Sequence, residues 1–134
     1  MSETKRETLP LRNSNDVVMA RQKVRLWATE LRFTLVDQTK LVTAASELAR
    51  NTVDHGRGGS MTIEQIGAGA RVGLRLIFED QGPGIPNVEM ALKDGFTTGN
   101  GMGLGLGGSK RLVNDFSIET TPGKGTRITA VRWK

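Results

Sequence analysis

The sequence predicts an α/β fold, a two-layer sandwich in which helices cover one face of a mixed, mostly antiparallel sheet. Three observations lead to this class. Two segments before residue 55 carry apolar side chains at helical spacing, two later segments alternate polar and apolar residues, and the C-terminal segment has the pattern of a hairpin. The resulting order is one strand, two helices, two strands, two short helices and two strands. We expect it to form a single domain over residues 1–134.

The first half of the chain predicts one extended segment and two helices. The extended segment spans residues 7–12, and Asn15 or Asp16 is the candidate cap of the helix that follows. Thr34 is the candidate cap of the second helix, which ends at the glycines of HGRGG (55–59). Helical spacing of apolar residues between these signals predicts that each helix packs one face against a core.

The second half predicts two hairpins with a glycine-rich region between them. Alternating residues predict the first pair of strands, and proline and glycine in QGPGIP then end regular structure. Short helices flank the glycine-rich stretch DGFTTGNGMGLGLGGSK, and a turn joins the last two strands. The predicted ranges are strands at 60–66 and 71–80, helices at 87–93 and about 105–114, and a turn at 122–125.

Composition and charge narrow the class of protein. The chain has 19 basic and 14 acidic residues, a net charge of +5, but the excess is scattered along the sequence. Only six residues are aromatic and none is tyrosine, so we expect no direct nucleic-acid binding. The chain has no cysteine and no apolar run long enough to span a bilayer. We therefore expect a soluble, cytoplasmic protein that does not contact membranes.

The glycine-rich stretch is the first candidate ligand site. Residues 95–108 contain seven of the 17 glycines of the chain. Glycine removes the Cβ atom, so successive backbone N–H groups can surround phosphate oxygens. Met102, Leu104 and Leu106 are interleaved with the glycines, which a plain linker would not require. The stretch has no Gly-Lys pair before Ser or Thr, as a Walker loop needs, and its G-x-G-x-x-G spacing lacks the preceding strand of a dinucleotide fold.

Two further clusters carry polar side chains that suit a nucleotide site. SELARNTVDHG (46–56) places Glu47 and Asn51 four residues apart, on one face of the predicted helix, although an ordinary solvated stripe has the same pattern. EDQGPGIP (79–86) ends a predicted strand at Asp80. A last motif, GKGT, follows near the C-terminus.

In this order, the four segments resemble the N box, G1 box, G2 box and late G-x-G-T of the GHKL superfamily, the ATP-binding domains of histidine kinases, gyrase, Hsp90 and MutL. The resemblance covers residues from about 40 to the C-terminus. AASELARNTVDHG, EDQGPGIP, DGFTT and the loop running into GGSKRLVNDF are most similar to switch kinases of the RsbT type. The resemblance implies the Bergerat ATP-binding fold, with ATP and Mg²⁺ as cofactors.

The resemblance implies a role for each matched position. Asp80 would accept a hydrogen bond from the adenine amino group, and Gly82 and Gly84 would let the chain bend beside the base. Asn51 would offer its amide oxygen to Mg²⁺, which takes its other ligands from water and phosphates. Thr126 would add a polar contact near the base.

The glycine-rich loop would close on the phosphates, with the N-terminus of the next helix directed at them. Lys110, one turn into that helix, would add a cationic contact or simply face solvent. The loop positions concerned are Gly101, Met102, Gly103, Leu104, Gly105, Leu106 and Gly107.

Glu47 is the candidate catalytic residue. A carboxylate can accept the proton of a serine hydroxyl while the metal and the loop stabilise the transferring phosphoryl group. In this superfamily the same glutamate can instead activate water, and the residue type does not separate the two. His55 is the only histidine, and we expect a structural or capping role for it because no acceptor domain precedes it.

These features predict a Mg²⁺-ATP-dependent protein serine/threonine kinase of a bacterial partner-switching pathway. By resemblance, the phosphoacceptor is a STAS-domain antagonist protein of a stressosome-type assembly, with a downstream phosphatase or sigma factor as a further partner. The alternative is an anti-sigma factor that sequesters a sigma subunit and uses kinase activity as its release switch. A degenerate nucleotide-binding scaffold is disfavoured because Glu47, Asn51 and Asp80 are all present.

Overall fold

The computed structural model describes residues 5–85, 87–92 and 105–134, and along them the elements follow the expected order. Strand β1 (Arg6–Leu11) precedes helices α1 (Ser14–Glu30) and α2 (Leu35–Asp54). The hairpin of β2 (Gly59–Ala68) and β3 (Arg71–Asp80) follows. Short helices α3 (Val88–Ala91) and α4 (Gly105–Arg111) then lead to β4 (Asp115–Thr121) and β5 (Gly125–Trp133).

The five strands form one sheet in the order β1-β2-β3-β5-β4. All four neighbouring pairs are antiparallel, so the sheet of the described residues is antiparallel throughout rather than mixed. The reason is that β4 runs parallel to β3, but β5 inserts between them and pairs with both. The predicted class, a two-layer α/β sandwich, is confirmed. In this register Asp80 lies opposite Gly59 on one side and Thr126 on the other.

Helix α1 begins slightly earlier than the sequence indicated. Asn13 is its N-cap, and the side-chain oxygen of Asn13 accepts the N–H of Asp16 at 3.0 Å. The prediction that Asn15 or Asp16 caps this helix is therefore wrong. Asp16 lies in the first turn, where hydrogen bonds from Arg12 hold the pKa of Asp16 below its usual range. For α2 the predicted cap is confirmed, because the Thr34 hydroxyl accepts an N–H from the first turn at 3.1 Å.

The hydrophobic core lies between the helices and one face of the sheet. Helix α2 is central to it, because it packs against α1, α4 and the first three strands. Trp27 of α1, Leu48 of α2 and Phe78 of β3 are among the buried side chains. Each such side chain stabilises the fold by about 1.5–3 kcal/mol. None of the helices in the described residues is both long enough and apolar enough to cross a membrane.

One ion pair ties the start of α2 to the end of β5. Arg132 donates to the Asp37 carboxylate at 2.6 Å and to the Leu112 carbonyl at 3.0 Å. The hydrogen bond from Arg132 holds the pKa of Asp37 below its usual range. Helix α2, which carries Glu47 and Asn51, is thereby fixed in position relative to the sheet.

The other face of the sheet carries charged side chains and an indole ring. Glu64 is buried and bonds to Arg75 at 2.8 Å. The Trp133 ring lies over Gly73, where a Cβ atom would be 2.8 Å from the ring. The Arg71 guanidinium stacks 4.0 Å from the centre of the same ring. Glu64, Arg75 and Trp133 line a depression of about 510 Å³.

Candidate nucleotide-binding site

The ends of α2 and β3 and the start of β5 meet at one corner of the molecule. We call it the Asp80 corner and define it by Asn51, Gly56, Asp80, Gly82 and Thr126. The Gly56 N–H donates to the Asn51 carbonyl at 3.2 Å, and a Cβ atom on Gly56 would overlap the Asp80 carboxylate. Asp80 and Thr126 are paired across β3 and β5. The structure therefore brings together residues that the sequence supplied from three separate motifs.

Close contact between main chains builds this corner. A Cβ atom on Gly82 would lie 2.7 Å from the Gly56 carbonyl oxygen. A Cβ atom on Gly59 would overlap the Glu79 carbonyl, and one on Gly125, at φ +126°, would overlap the carbonyl of Asp80. Only glycine allows these approaches without displacing a strand.

The structure thus explains why residues 82 and 84 are glycine in a way that the sequence did not predict: both positions are packed closely against main-chain atoms. The resemblance implies that both make room for a base. Gly84 has φ +81°, and a Cβ atom there would lie 2.8 Å from the Thr121 carbonyl oxygen. Both glycines thus pack against protein, and their contact with a base stays a prediction.

The Asp80 carboxylate has a fixed orientation. It is half-buried, and its Oδ1 atom accepts the Gly82 N–H at 2.9 Å. An ionised carboxylate accepts hydrogen bonds only, so its remaining lone pairs suit a donor such as the amino group of adenine. Guanine presents an oxygen at the corresponding position, which the carboxylate would repel.

A threonine pair lies beside Asp80. The Thr120 hydroxyl donates to the Gly125 carbonyl at 3.2 Å and accepts the Ile85 N–H at 2.9 Å. The Thr120 and Thr126 hydroxyl oxygens are 3.0 Å apart. Either hydroxyl can be the donor of this pair. In both cases the buried Thr126 oxygen keeps a lone pair, which suits a donor on the ligand.

Asn51 and Glu47 lie one turn apart on α2, and both are half-buried. The Asn51 main-chain carbonyl accepts the N–H groups of His55 and Gly56 at 2.9 and 3.2 Å, which ends the helix. The Asn51 side-chain amide makes no hydrogen bond to any described residue, so its oxygen is available to a ligand. His55 is the C-cap of α2, which confirms the capping role expected for it.

The predicted loop positions divide into two groups. Gly101, Met102, Gly103 and Leu104 lie outside the described residues. Gly105, Leu106 and Gly107 form the buried first turn of α4, which packs against α2. The Leu106 side chain is 7% exposed and belongs to the core, so a ligand contact there would have to come from its backbone. Lys110 is exposed in the last turn of α4.

Sequence reasoning missed one residue of this corner, Gly56, and one residue beside it, Thr120. Gly56 was interpreted only as a helix terminator, although the end of α2 rests on Asp80 there. Thr120 was not considered, although it and Thr126 lie three residues on either side of Gly123 and pair across the hairpin. That symmetry was the one sequence signal that could have found Thr120.

The site and fold define a class of protein. The family described as histidine kinase-, DNA gyrase B- and HSP90-like ATPase matches residues 36–134, and the chain belongs to this family. Over 118 residues the chain is 48% identical to the serine/threonine-protein kinase RsbT of Bacillus subtilis, covering 88% of this chain and 89% of the relative. Over 129 residues it is 30% identical to an anti-sigma F factor of Thermoanaerobacter sp. (strain X514), covering 92% and 89% respectively.

A solved structure supports the same fold. A crystal structure of RsbU and RsbW domains from Mycobacterium tuberculosis matches with a TM-score of 0.64 at 21% identity. The match covers 99% of this chain but 33% of that chain, so this chain corresponds to about a third of it. The resemblance derived from the four motifs is confirmed, because the chain is a homologue of a serine/threonine-protein kinase and of anti-sigma factors.

Proposed function

We propose that this chain is a Mg²⁺-ATP-dependent protein serine/threonine kinase that phosphorylates a STAS-domain antagonist protein in a bacterial partner-switching pathway. One observation carries the proposal: the half-buried Asn51 amide makes no hydrogen bond to the described residues, while the Asn51 backbone carbonyl bonds to Gly56, which packs on the oriented Asp80 carboxylate. The 48% identity to a serine/threonine-protein kinase supports the reaction type.

The donor and acceptor groups present fit this ligand. The Asp80 carboxylate and the Thr126 oxygen are acceptors, as the amino edge of adenine requires. The Asn51 amide oxygen is a suitable ligand for Mg²⁺, which otherwise keeps water and phosphate oxygens. When bound, ATP supplies the phosphoryl group and Mg²⁺ stabilises its negative charge. Lys110 and the loop at 101–107 would add phosphate contacts.

Glu47 would accept the proton of the acceptor hydroxyl. It lies on the same face of α2 as Asn51, one turn closer to the start of the helix. A hydroxyl that approaches a cation held by Asn51 therefore also approaches Glu47. A correctly placed general base contributes about 10²–10⁴-fold to the rate.

Transfer of labelled phosphate tests the proposal. The chain is incubated with Mg²⁺, γ-labelled ATP and a STAS-domain antagonist from the same organism, and we expect phosphoserine or phosphothreonine on the antagonist. Glu47→Ala should still bind ATP in calorimetry but lose transfer by about 10²–10⁴-fold. Asn51→Ala should lose Mg²⁺-dependent ATP binding.

Asp54→Ala is the matched control, because it removes an exposed carboxylate from the same helix. It should retain both ATP binding and transfer. Full transfer activity of Glu47→Ala would refute the assignment of Glu47 as the general base. If the unmodified chain did not bind ATP in the presence of Mg²⁺, the proposed function would be refuted.

The second candidate is an anti-sigma factor, which the 30% identity to anti-sigma F factors favours. Such a protein would retain a sigma subunit, and kinase activity would serve to release it. Copurification of a sigma subunit with the chain, lost on phosphorylation of the antagonist, would support this candidate. Copurification of the STAS-domain protein alone would support the first.

A further inference from the structure

The outer side of the helical layer carries an apolar surface. Of the six exposed large hydrophobic side chains in the described residues, five lie on α1 or in the first turn of α2. We call this the outer helical surface, formed by Val18, Met19, Leu26, Leu35 and Val36. Met19, Leu26 and Leu35 are 56%, 51% and 71% exposed. Single exposed apolar residues are ordinary, but their concentration in one region is typical of interaction sites.

The arrangement of these side chains follows from the helical hairpin. Met19 and Leu26 are seven residues apart and therefore lie on one side of α1, whereas Val24 and Trp27 are buried on the other. The Thr29 hydroxyl lies 3.3 Å from the Gln38 side-chain oxygen, which brings the end of α1 to the start of α2. The end of α1 that carries Leu26 therefore lies beside the start of α2 that carries Leu35.

The charges of this region are not balanced. Each carboxylate between residues 12 and 40 already has a cation from this chain, in the pairs Arg12–Asp16, Lys5–Glu30 and Arg132–Asp37. By contrast, Arg21, Arg25 and Arg32 are exposed and form no ion pair within the described part of the chain. The surface therefore offers apolar contacts flanked by guanidinium groups that have no ion pair among the described residues.

We propose that the outer helical surface docks an acidic amphipathic segment of a protein partner. Apolar residues of that segment would cover Met19, Leu26 and Leu35, and its carboxylates would pair with Arg21 and Arg25. Arginine beside an apolar centre suits such an interface, because guanidinium pairs with carboxylate in two hydrogen bonds. None of these residues belongs to the Asp80 corner, so docking goes beyond the proposed kinase reaction and requires no nucleotide.

The test uses the full chain without nucleotide and a synthetic probe. The probe is a fluorescent 18-residue peptide of glutamate with leucines at helical spacing, and its binding is measured by anisotropy. We expect the chain to bind it, with affinity falling as salt rises. The double variants Met19→Ser/Leu26→Ser and Arg21→Glu/Arg25→Glu should each weaken binding about tenfold or more. The same peptide with lysine in place of glutamate should not bind.

Lys124→Glu/Lys134→Glu is the matched control, because it changes the net charge as much as the double arginine variant and both lysines are exposed in or beside the last hairpin. Binding within about twofold of the unmodified chain is expected for it. Circular dichroism verifies that all variants are folded. Equal affinities for all variants would overturn the proposal. It would also be overturned if the chain failed to bind the peptide and instead bound phosphatidylglycerol vesicles through Arg21 and Arg25. The assay contains no ATP, so its outcome is independent of the kinase reaction.

Discussion

The Asp80 corner and the outer helical surface differ in the size of side chain that they allow. The corner is built from glycines whose main chains touch, so even a methyl group has no space there. The outer helical surface is built from large side chains in contact with water. Gly59 and Met19 are both exposed, yet only Met19 can change without moving its neighbours. Exposure therefore does not measure how strongly the fold constrains a residue.

Helix α2 joins the two regions. Its first turn contributes Leu35 and Val36 to the outer helical surface, and its last turns contribute Asn51 to the Asp80 corner. The ion pair of Asp37 with Arg132 holds the beginning of this helix to the sheet. Substitutions in the Asp80 corner, in the outer helical surface and in the Asp37–Arg132 ion pair therefore test whether the two regions are constrained independently.

The largest effect is expected from Gly59→Ala, because the new Cβ atom would overlap the Glu79 carbonyl and separate β2 from β3. We expect the free energy of unfolding to fall by about 2–3 kcal/mol in denaturant titrations. Gly67→Ala is the matched control in the same strand, where the nearest atom to a Cβ is 3.5 Å away. Equal losses for the two variants would show that strand position, and not the close approach of main chains, sets the constraint.

At the Asp80 corner, Asp80→Asn separates ligand recognition from stability. The asparagine oxygen can still accept the Gly82 N–H, so we expect the fold to persist. ATP affinity should fall about tenfold, or about 1.4 kcal/mol, because a charged acceptor becomes neutral. GTP affinity should change less, as calorimetry with both nucleotides would measure. Equal losses for ATP and GTP would argue against the adenine contact.

The ion pair between the regions should give a smaller and pH-dependent effect. We expect Asp37→Asn to lower the free energy of unfolding by about 1 kcal/mol at pH 7, since both partners are only partly exposed. The folded-state pKa of Asp37 is lowered, so its contribution is complete above the ordinary aspartate pKa of about 3.9 and is lost as the pH falls through the folded-state value. The difference between the two proteins should therefore disappear in acid. A difference that persists at pH 2 would contradict this assignment.

The smallest effect is expected at the outer helical surface. Met19→Ser/Leu26→Ser should change the free energy of unfolding by less than about 1 kcal/mol in total, because both side chains are more than half exposed. The same double variant is expected to lose peptide binding, so stability and docking should respond differently. A large loss of stability would show that these residues belong to the fold and not to an interface.

Much of the architecture was predictable because it depends on local pattern. The alternation over 71–80 predicted β3 with its exact bounds, and the Thr34 cap was identified from its residue type. The cap of α1 was not identified, because several residues near Asn13 can cap a helix and the choice depends on Arg12 binding Asp16. Local pattern also could not predict that the sheet is antiparallel throughout. This depends on β5, the last strand of the chain, inserting between β3 and β4.

By itself, the sequence determined the order of elements, the family and the residue types of the candidate site. These are properties of short segments, set by side-chain periodicity and by motif spacing. Tertiary structure alone decided that Gly56 rests on Asp80, that Thr120 pairs with Thr126, and that Leu106 belongs to the core. Such contacts join residues far apart in the chain, so they arise only when packing excludes water and brings main chains within a few ångströms of one another.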